Sequence, residues 1–463
     1  MKKTLGMALA LGLLLAGLLG WMLWDRHYRA THLFLGDHAY PLDAAVLDLR
    51  GEKLSPAQYR TIQGRMPQCE ILWNVPFQEG VLSSDTQTLT VEKLSLEDVA
   101  VLEYLSELTY VDGTGCRDYG ALAALQAQKP ECQVDYSIFL EGTAYDRAAA
   151  SLSLSRSSYA ELTQALPHFQ NLQELHLAEG MLSAQELNNL AEAFPETAIS
   201  WEKTVMGQTY PQDVKELDFS GMIIESLEAL EGDLAYFPQL EKLILCDCGI
   251  DDETMAAFRE RVRSHYKVVW RTQLGRISIR TDETTFMPRK VHVNMQNHEM
   301  ENLKYCEDML VVDVGHMGLV KDLAWLYGMP KLQFLVLVET GVRDLTPIGS
   351  LKELIYLELF RSPYVDDYSP LVGCTALEDV NLAFTHGDAR VFAQMPWLKH
   401  LWINQTGVDD ETRALLTEAL PNTVIEFDHG WHMGNGWRDL DNYYVMRDLL
   451  EMPYYAWRSQ KNQ

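Results

Sequence analysis

The stretch Leu354-Ile355-Tyr356-Leu357-Glu358-Leu359-Phe360-Arg361-Ser362 decides how this chain folds. Leucine holds positions 1, 4 and 6, and a small hydroxylic residue holds position 9. Alternate residues of a strand point the same way, so positions 4 and 6 enter a core and positions 3, 5 and 7 face out. The spacing recurs on both sides, as Met309-Val312-Val314, Leu332-Leu335-Leu337, Leu377-Val380-Leu382 and Leu398-Leu401-Ile403. A weaker last copy ends in Ile425 and Phe427, and first positions fall 23, 22, 23, 21 and 24 residues apart. Position 9 reads Thr340, Ser362, Thr385 and Thr406, which predicts hydroxyls bonding the turn of their own or the next coil. One such strand cannot bury its apolar face alone, whereas a stack shares a continuous core.

This spacing resembles that of leucine-rich repeat proteins over about residues 36–430. The returns Leu345-Thr346-Pro347-Ile348 and Tyr368-Ser369-Pro370-Leu371 are similar to the short repeats of bacterial internalin-like surface proteins. Ribonuclease-inhibitor-like solenoids share the pattern. The resemblance implies an α/β solenoid: a leucine-rich repeat horseshoe with a parallel concave sheet, helices and irregular coils on its convex side, and a bacterial extracellular setting. It implies no particular partner, because a fold does not name its ligand.

The first half repeats on a longer beat. Pro67-Gln68-Cys69-Glu70-Ile71-Leu72-Trp73, Pro130-Glu131-Cys132-Gln133-Val134-Asp135-Tyr136 and Pro195-Glu196-Thr197-Ala198-Ile199-Ser200-Trp201 are one motif, with a weaker copy at Val268-Val269-Trp270. Gly80, Gly142 and Gly207 follow the first three, and Gly36 opens the first unit. Each glycine predicts a hairpin, and the strands led to are Leu47-Asp48-Leu49, Leu89-Thr90-Val91, Leu152-Ser153-Leu154 and Leu217-Asp218-Phe219. Ser55 before Pro56, and Ser183 three residues before Glu186, predict capped helix starts. Asp251-Asp252 and Asp409-Asp410 read the same way, as acidic helix starts and not as calcium ligands. The expected organisation is an anchor over 1–28, long units with hairpin extensions over 36–290, short repeats over 291–429 and an aromatic C-terminal cap over 430–463.

Leu5 to Trp24 carry no charge, and twenty helical residues span about 30 Å, the thickness of a bilayer's hydrocarbon core. Lys2 and Lys3 precede this run, and Trp21 and Trp24 end it, where interfacial aromatics belong. The expectation is an uncleaved, single-pass signal anchor through residues 5–24 with the repeat domain outside the cell; secretion after signal cleavage is the alternative. The chain has 38 basic and 66 acidic residues, a net charge of −28. That balance argues against nucleic acid or anionic lipid as the main partner.

Seven cysteines in 463 residues are too few for a disulfide scaffold. The register buries most of them as thiols and leaves Cys246, at outward position 7, as the accessible one. His429-Gly430-Trp431-His432 lacks a supporting cysteine and makes a poor metal site. Asn404-Gln405-Thr406 matches a glycosylation sequon, but the repeat itself explains Thr406. No cofactor and no catalytic constellation is expected.

Outward positions of the short repeats stack into columns. They place Phe334, Tyr356, Phe360, Phe384 and Trp402 on one face, among Glu358, Arg361, Asn381 and His400. Exposed aromatics ringed by polar groups suit recognition of a protein or of a cell-wall or other glycan. The competing expectation is that these side chains cover one another or meet the C-terminal cap. The function that follows is a non-catalytic, membrane-anchored extracellular binding protein; a cell-envelope scaffold and an enzyme inhibitor are the alternatives. On this reading Trp402→Ala leaves stability nearly intact.

Overall fold

The computed structural model describes residues 2–428 and 436–453, with side chains from residue 13 onward. It divides into two compact units, 1–203 and 204–463.

In the first unit, a helix from Lys2 to Thr31 leads into an antiparallel hairpin, His32–Leu35 with His38–Pro41. Short parallel strands then come in blocks: Val46–Asp48 with Glu70–Leu72, then Thr88–Thr90, Tyr110–Asp112 and Gln133–Asp135. Ser151–Leu154 and Glu174–Leu177 run parallel to each other in the next block. Hairpins separate the blocks, Asn74–Phe77 with Gly80–Ser83 and Ile138–Leu140 with Thr143–Tyr145. Both loops are two residues long, and at 138–145 both loop residues are left-handed: Glu141 has φ 55° and Gly142 φ 80°, the primed turn whose twist matches the strands. In the hairpin at 74–83, Gln78 takes the left-handed position at φ 51° and Gly80 opens the returning strand. The capping boxes at Ser55 and Ser183 form, each serine oxygen accepting from the backbone N–H three residues on.

The second unit contains one more block, Glu216–Asp218, Lys242–Ile244 and Lys267–Val269, all parallel. A further hairpin, Arg271–Leu274 with Ile277–Arg280, turns at Gly275, a glycine to which the long beat assigned no role. Its base closes as the hairpin at 74–83 does in the first unit. The Trp270 N–H donates to Thr281 Oγ1 and the Thr281 N–H to the Trp270 carbonyl, as Trp73 and Ser84 bond each other.

Seven parallel strands follow in unbroken register: Thr285–Phe286, Val311–Asp313, Phe334–Val336, Tyr356–Glu358, Asp379–Asn381, His400–Trp402 and Val424–Glu426. Short 3₁₀ turns return the chain behind them, and one core runs from Leu274 to Leu420. This is a leucine-rich repeat fold, and its strands fall where the Leu-x-x-Leu-x-Leu spacing predicts. The position-9 hydroxyls also behave as predicted. Thr340, Thr385 and Thr406 donate to the carbonyls of Leu337, Leu382 and Ile403, three residues back. Ser362 instead reaches Leu337 in the preceding coil, at 2.8 Å. Behind the sheet the coils approach so closely that a Cβ on Gly373 would lie 2.4 Å from the Gly349 carbonyl oxygen.

All seven cysteines are free and buried. Cys246 corrects the sequence reading: it is 3% exposed, packed with Ile244 and Val269 on the outward face of its block. Asn404 is buried as well, which removes it as a glycan acceptor in the folded chain. Asp251 and Asp409 cap their helices, bonding the N–H of Thr254 and Thr412. His429 and His432 lie outside the described residues.

Among the described residues no helix is long and apolar enough to cross a membrane. Residues 5–12 of the expected span are helical, and their side chains lie outside those described.

Candidate functional site

The outward face of the seven-stranded sheet differs from the expected open aromatic surface. Phe334, Tyr356, Asn381 and Trp402 are each at most 4% exposed. What covers three of them is the C-terminal segment. After a 3₁₀ turn, Trp437–Asp439, the helix Asp441–Leu449 lies on the sheet, not over the edge of the last coil. Trp437, Tyr443, Met446 and Leu450 form one apolar cluster with Val311, Phe334, Val336, Tyr356 and Trp402. The Trp437 ring sits 4.9 Å from Tyr356 and 5.4 Å from Trp402, centroid to centroid. Tyr454, Tyr455 and Trp457 lie outside the described residues.

The reason for the difference is amphipathic pattern. Tyr443, Tyr444, Met446, Arg447 and Leu450 recur at helical spacing, so one face of this helix needs an apolar partner. The outward column of large side chains supplies it. Polar ties hold the two together. Asn442 Nδ2 donates to Glu378 Oε2 at 3.1 Å and to Asp379 Oδ2 at 2.9 Å. Lys290 Nζ donates to the Leu450 carbonyl at 3.1 Å. Asp379 is buried and also meets His400 Nδ1 at 2.6 Å, so His400 is engaged inside the sheet.

The accessible remainder of the predicted face is Glu358, Phe360, Arg361 and Phe384, clustered at the strand ends, with His400 half-buried beside Asp379. At those ends the backbone turns left-handed at the same place in five successive coils: His316, Glu339, Arg361, Phe384 and Gln405 have φ between 54° and 63°. A left-handed L-residue costs roughly 1–2 kcal/mol. The turn offsets this by extending the ladder, since the N–H groups of His316, Glu339, Arg361 and Phe384 each donate to the neighbouring coil's carbonyl. It also aligns the position-8 side chains in a row. Glu339 accepts from both neighbours, meeting His316 Nδ1 at 2.7 Å and Arg361 Nη1 at 2.9 Å. The rings of Phe360 and Phe384 meet edge to face at 5.5 Å.

Between this row and the C-terminal helix lies a pocket of about 300 Å³. The sheet side contributes Arg289, Asp313, His316, Glu339, Glu358, Phe360, Arg361 and Asn381, and the C-terminal segment Trp437, Arg438, Tyr443, Met446, Arg447 and Met452. Arg289 Nη2 pairs with the buried Asp313 carboxylate at 3.1 Å. Burial pushes the Glu358 carboxyl above the usual carboxylate range, against the hydrogen bond it accepts from the Tyr356 hydroxyl at 3.0 Å. The same burial, with Glu358 beside it, pushes the Tyr356 phenol far up. The arrangement can bind; it holds ionised groups around a cleft with an aromatic wall.

Of the nine residues predicted for ligand contact, Glu358, Phe360, Arg361 and Asn381 line this pocket, and Phe384 adjoins Phe360. Arg289, Asp313, His316 and Glu339 were not among the nine. His316 and Glu339 occupy the position-8 column, the signal that could have found them. Arg438 and Arg447 carried no repeat signal at all.

No family model and no curated protein matches the chain. Among solved structures it is similar to internalin C2 of Listeria monocytogenes, at 16% identity over 52% of this chain and 92% of that one, with a TM-score of 0.27. A second internalin of that species matches at 15% identity over 75% and 84%, with a TM-score of 0.27. A leucine-rich repeat protein of Leptospira interrogans matches at 14% identity over 83% and 96%, with a TM-score of 0.25. The leucine-rich repeat assignment stands on the strand register itself.

Proposed function

We propose that this chain is a non-catalytic binding protein, held at the bacterial cell membrane by residues 5–24, with its repeats outside the cell. It takes a protein or glycan ligand at the strand ends of the short-repeat sheet. The observation that carries the reading is the row His316, Glu339, Arg361 and Phe384. The repeat geometry presents it edge-on beside a pocket, while the aromatic column next to it is already occupied by the chain's own C-terminal helix. Aromatic and charged side chains on rigid turns are suited to recognition, because little freedom is lost when they are engaged.

The test uses the full-length chain in detergent, with binding to cell-wall glycan fragments and to purified envelope proteins followed by intrinsic tryptophan fluorescence. Wild type is compared with Phe360→Ala/Phe384→Ala. Saturable binding that the double variant weakens tenfold or more supports the reading. Binding unchanged by the double variant, or abolished only when the polar strand faces of residues 88–177 are altered, removes it.

A further inference from the structure

The charge inside the pocket runs against that of the whole molecule. The chain has 66 acidic and 38 basic residues, yet the pocket is lined by four arginines and three acids. Two of the arginines, Arg289 and Arg361, come from the sheet side, and two, Arg438 and Arg447, from the C-terminal segment more than 70 residues further along. Of the acids, Asp313 is taken by Arg289, and Glu339 is shared between Arg361 and His316. The third, Glu358, has its carboxyl displaced toward the neutral form by burial. Arg447 is 5% exposed and counts neutral groups among its partners, the Tyr443 hydroxyl at 3.2 Å and the Pro453 carbonyl. Guanidiniums from two elements thus line one cleft, and their planar forks match the oxygens of a carboxylate or phosphate.

We propose that this pocket binds a small organic anion, a carboxylate or phosphate on an apolar or aromatic body, bridging the position-8 row and the C-terminal helix. The inference rests on the binding-protein reading above and deepens it by naming the group that the site receives. The oxyanion sits among the guanidiniums, and its body lies against Phe360, Trp437 and Met446. Because half of the cationic lining belongs to the C-terminal segment, the anion also fastens that segment to the sheet.

The experiment titrates the full-length chain in detergent with benzoate, phenyl phosphate and benzyl alcohol by calorimetry, with hydrogen exchange of the 441–449 amides read in parallel. Either anion should saturate while benzyl alcohol does not, and comparing the two distinguishes a carboxylate site from a phosphate site. Exchange at 441–449 should slow at least threefold on saturation. Arg361→Gln, a change at an exposed side chain, should weaken the anion tenfold or more, and Glu358→Gln should hold or tighten it. The inference is overturned if neither anion saturates, if benzyl alcohol matches them, or if Arg361→Gln binds as wild type does. Should anions fail while glycan or protein binding persists and still depends on Phe360 and Phe384, this inference alone falls. Loss of that dependence too removes the wider reading.

Discussion

The strand blocks of residues 46–177 and the seven-stranded sheet of 285–426 use the same inward pattern and opposite outward ones. In the first region Leu152, Leu154, Leu175 and Leu177 are buried, while the residues between them, Ser151, Ser153, Glu174 and His176, are exposed. In the second, Leu335, Leu357 and Val380 are buried in the same way, but Phe334, Tyr356 and Asp379 beside them are buried as well. Inward leucines build the coil in both places. Outward residues decide what becomes of the face: small polar ones leave it to water, and large aromatic ones recruit a cover. In the first region a two-residue hairpin follows every two or three strands, whereas the aromatic-faced sheet keeps unbroken register.

The comparison breaks hardest at the shared feature. Leu357→Asp places an unpaired charge in the core common to the seven coils and should cost more than ~4 kcal/mol, read as loss of the cooperative thermal transition. Next comes the feature that differs. Trp402→Ala should cost about 3–5 kcal/mol and free the 441–449 amides to hydrogen exchange, because Trp402 is buried against Trp437. His176→Ala, at an exposed outward position of the other region, should change stability by less than ~0.5 kcal/mol. Glycines sharpen the contrast further. Gly328→Ala drives a Cβ to within 1.9 Å of the Lys304 carbonyl oxygen and should cost about 1–3 kcal/mol by overpacking. Gly120→Ala meets open space on a helix and should stabilise by about 0.5–1 kcal/mol, with both glycine variants read by denaturant titration.

Strand positions, hydroxyl ladder and most hairpins were legible because each is a local pattern with a fixed period. The fate of the outward aromatics was not. Phe334, Tyr356 and Trp402 read identically whether water or a helix lies over them, and Trp437 and Tyr443 belong to a segment without the repeat. Periodicity reports the face on which a side chain stands, while what meets that face depends on contacts with a distant segment outside the repeat. Position 8 fell between these cases. Its column could be read off the register, but only backbone angles show that five non-glycine residues there turn left-handed and thereby build the edge of a pocket.

Where the interrupted region gives way to the continuous sheet, inside the second unit, ion pairs add to the apolar packing of Leu274, Ile277 and Ile279 against the core of the sheet. Asp282 stands between the last hairpin and the strand Thr285–Phe286. It accepts from Arg280 at 2.8 and 2.9 Å and pairs with Lys242 of the preceding block at 2.9 Å. Burial pushes its carboxyl up, but the hydrogen bonds from Arg280 and Lys242 outweigh burial and hold it at about 2. A carboxylate depressed in the folded state stabilises above its unfolded value near 3.8, and that contribution disappears as pH falls through about 2. Screening by the solvent that partly reaches the group leaves about 1 kcal/mol of pH-dependent stability. Asp282→Asn should therefore lower stability by about 1 kcal/mol at pH 7, flatten the acid limb of the stability–pH curve between 4 and 2, and leave the limb above pH 5 parallel to wild type. An unchanged acid limb would mean that packing alone joins the block to the sheet, and that the two regions differ only in what their outward faces carry.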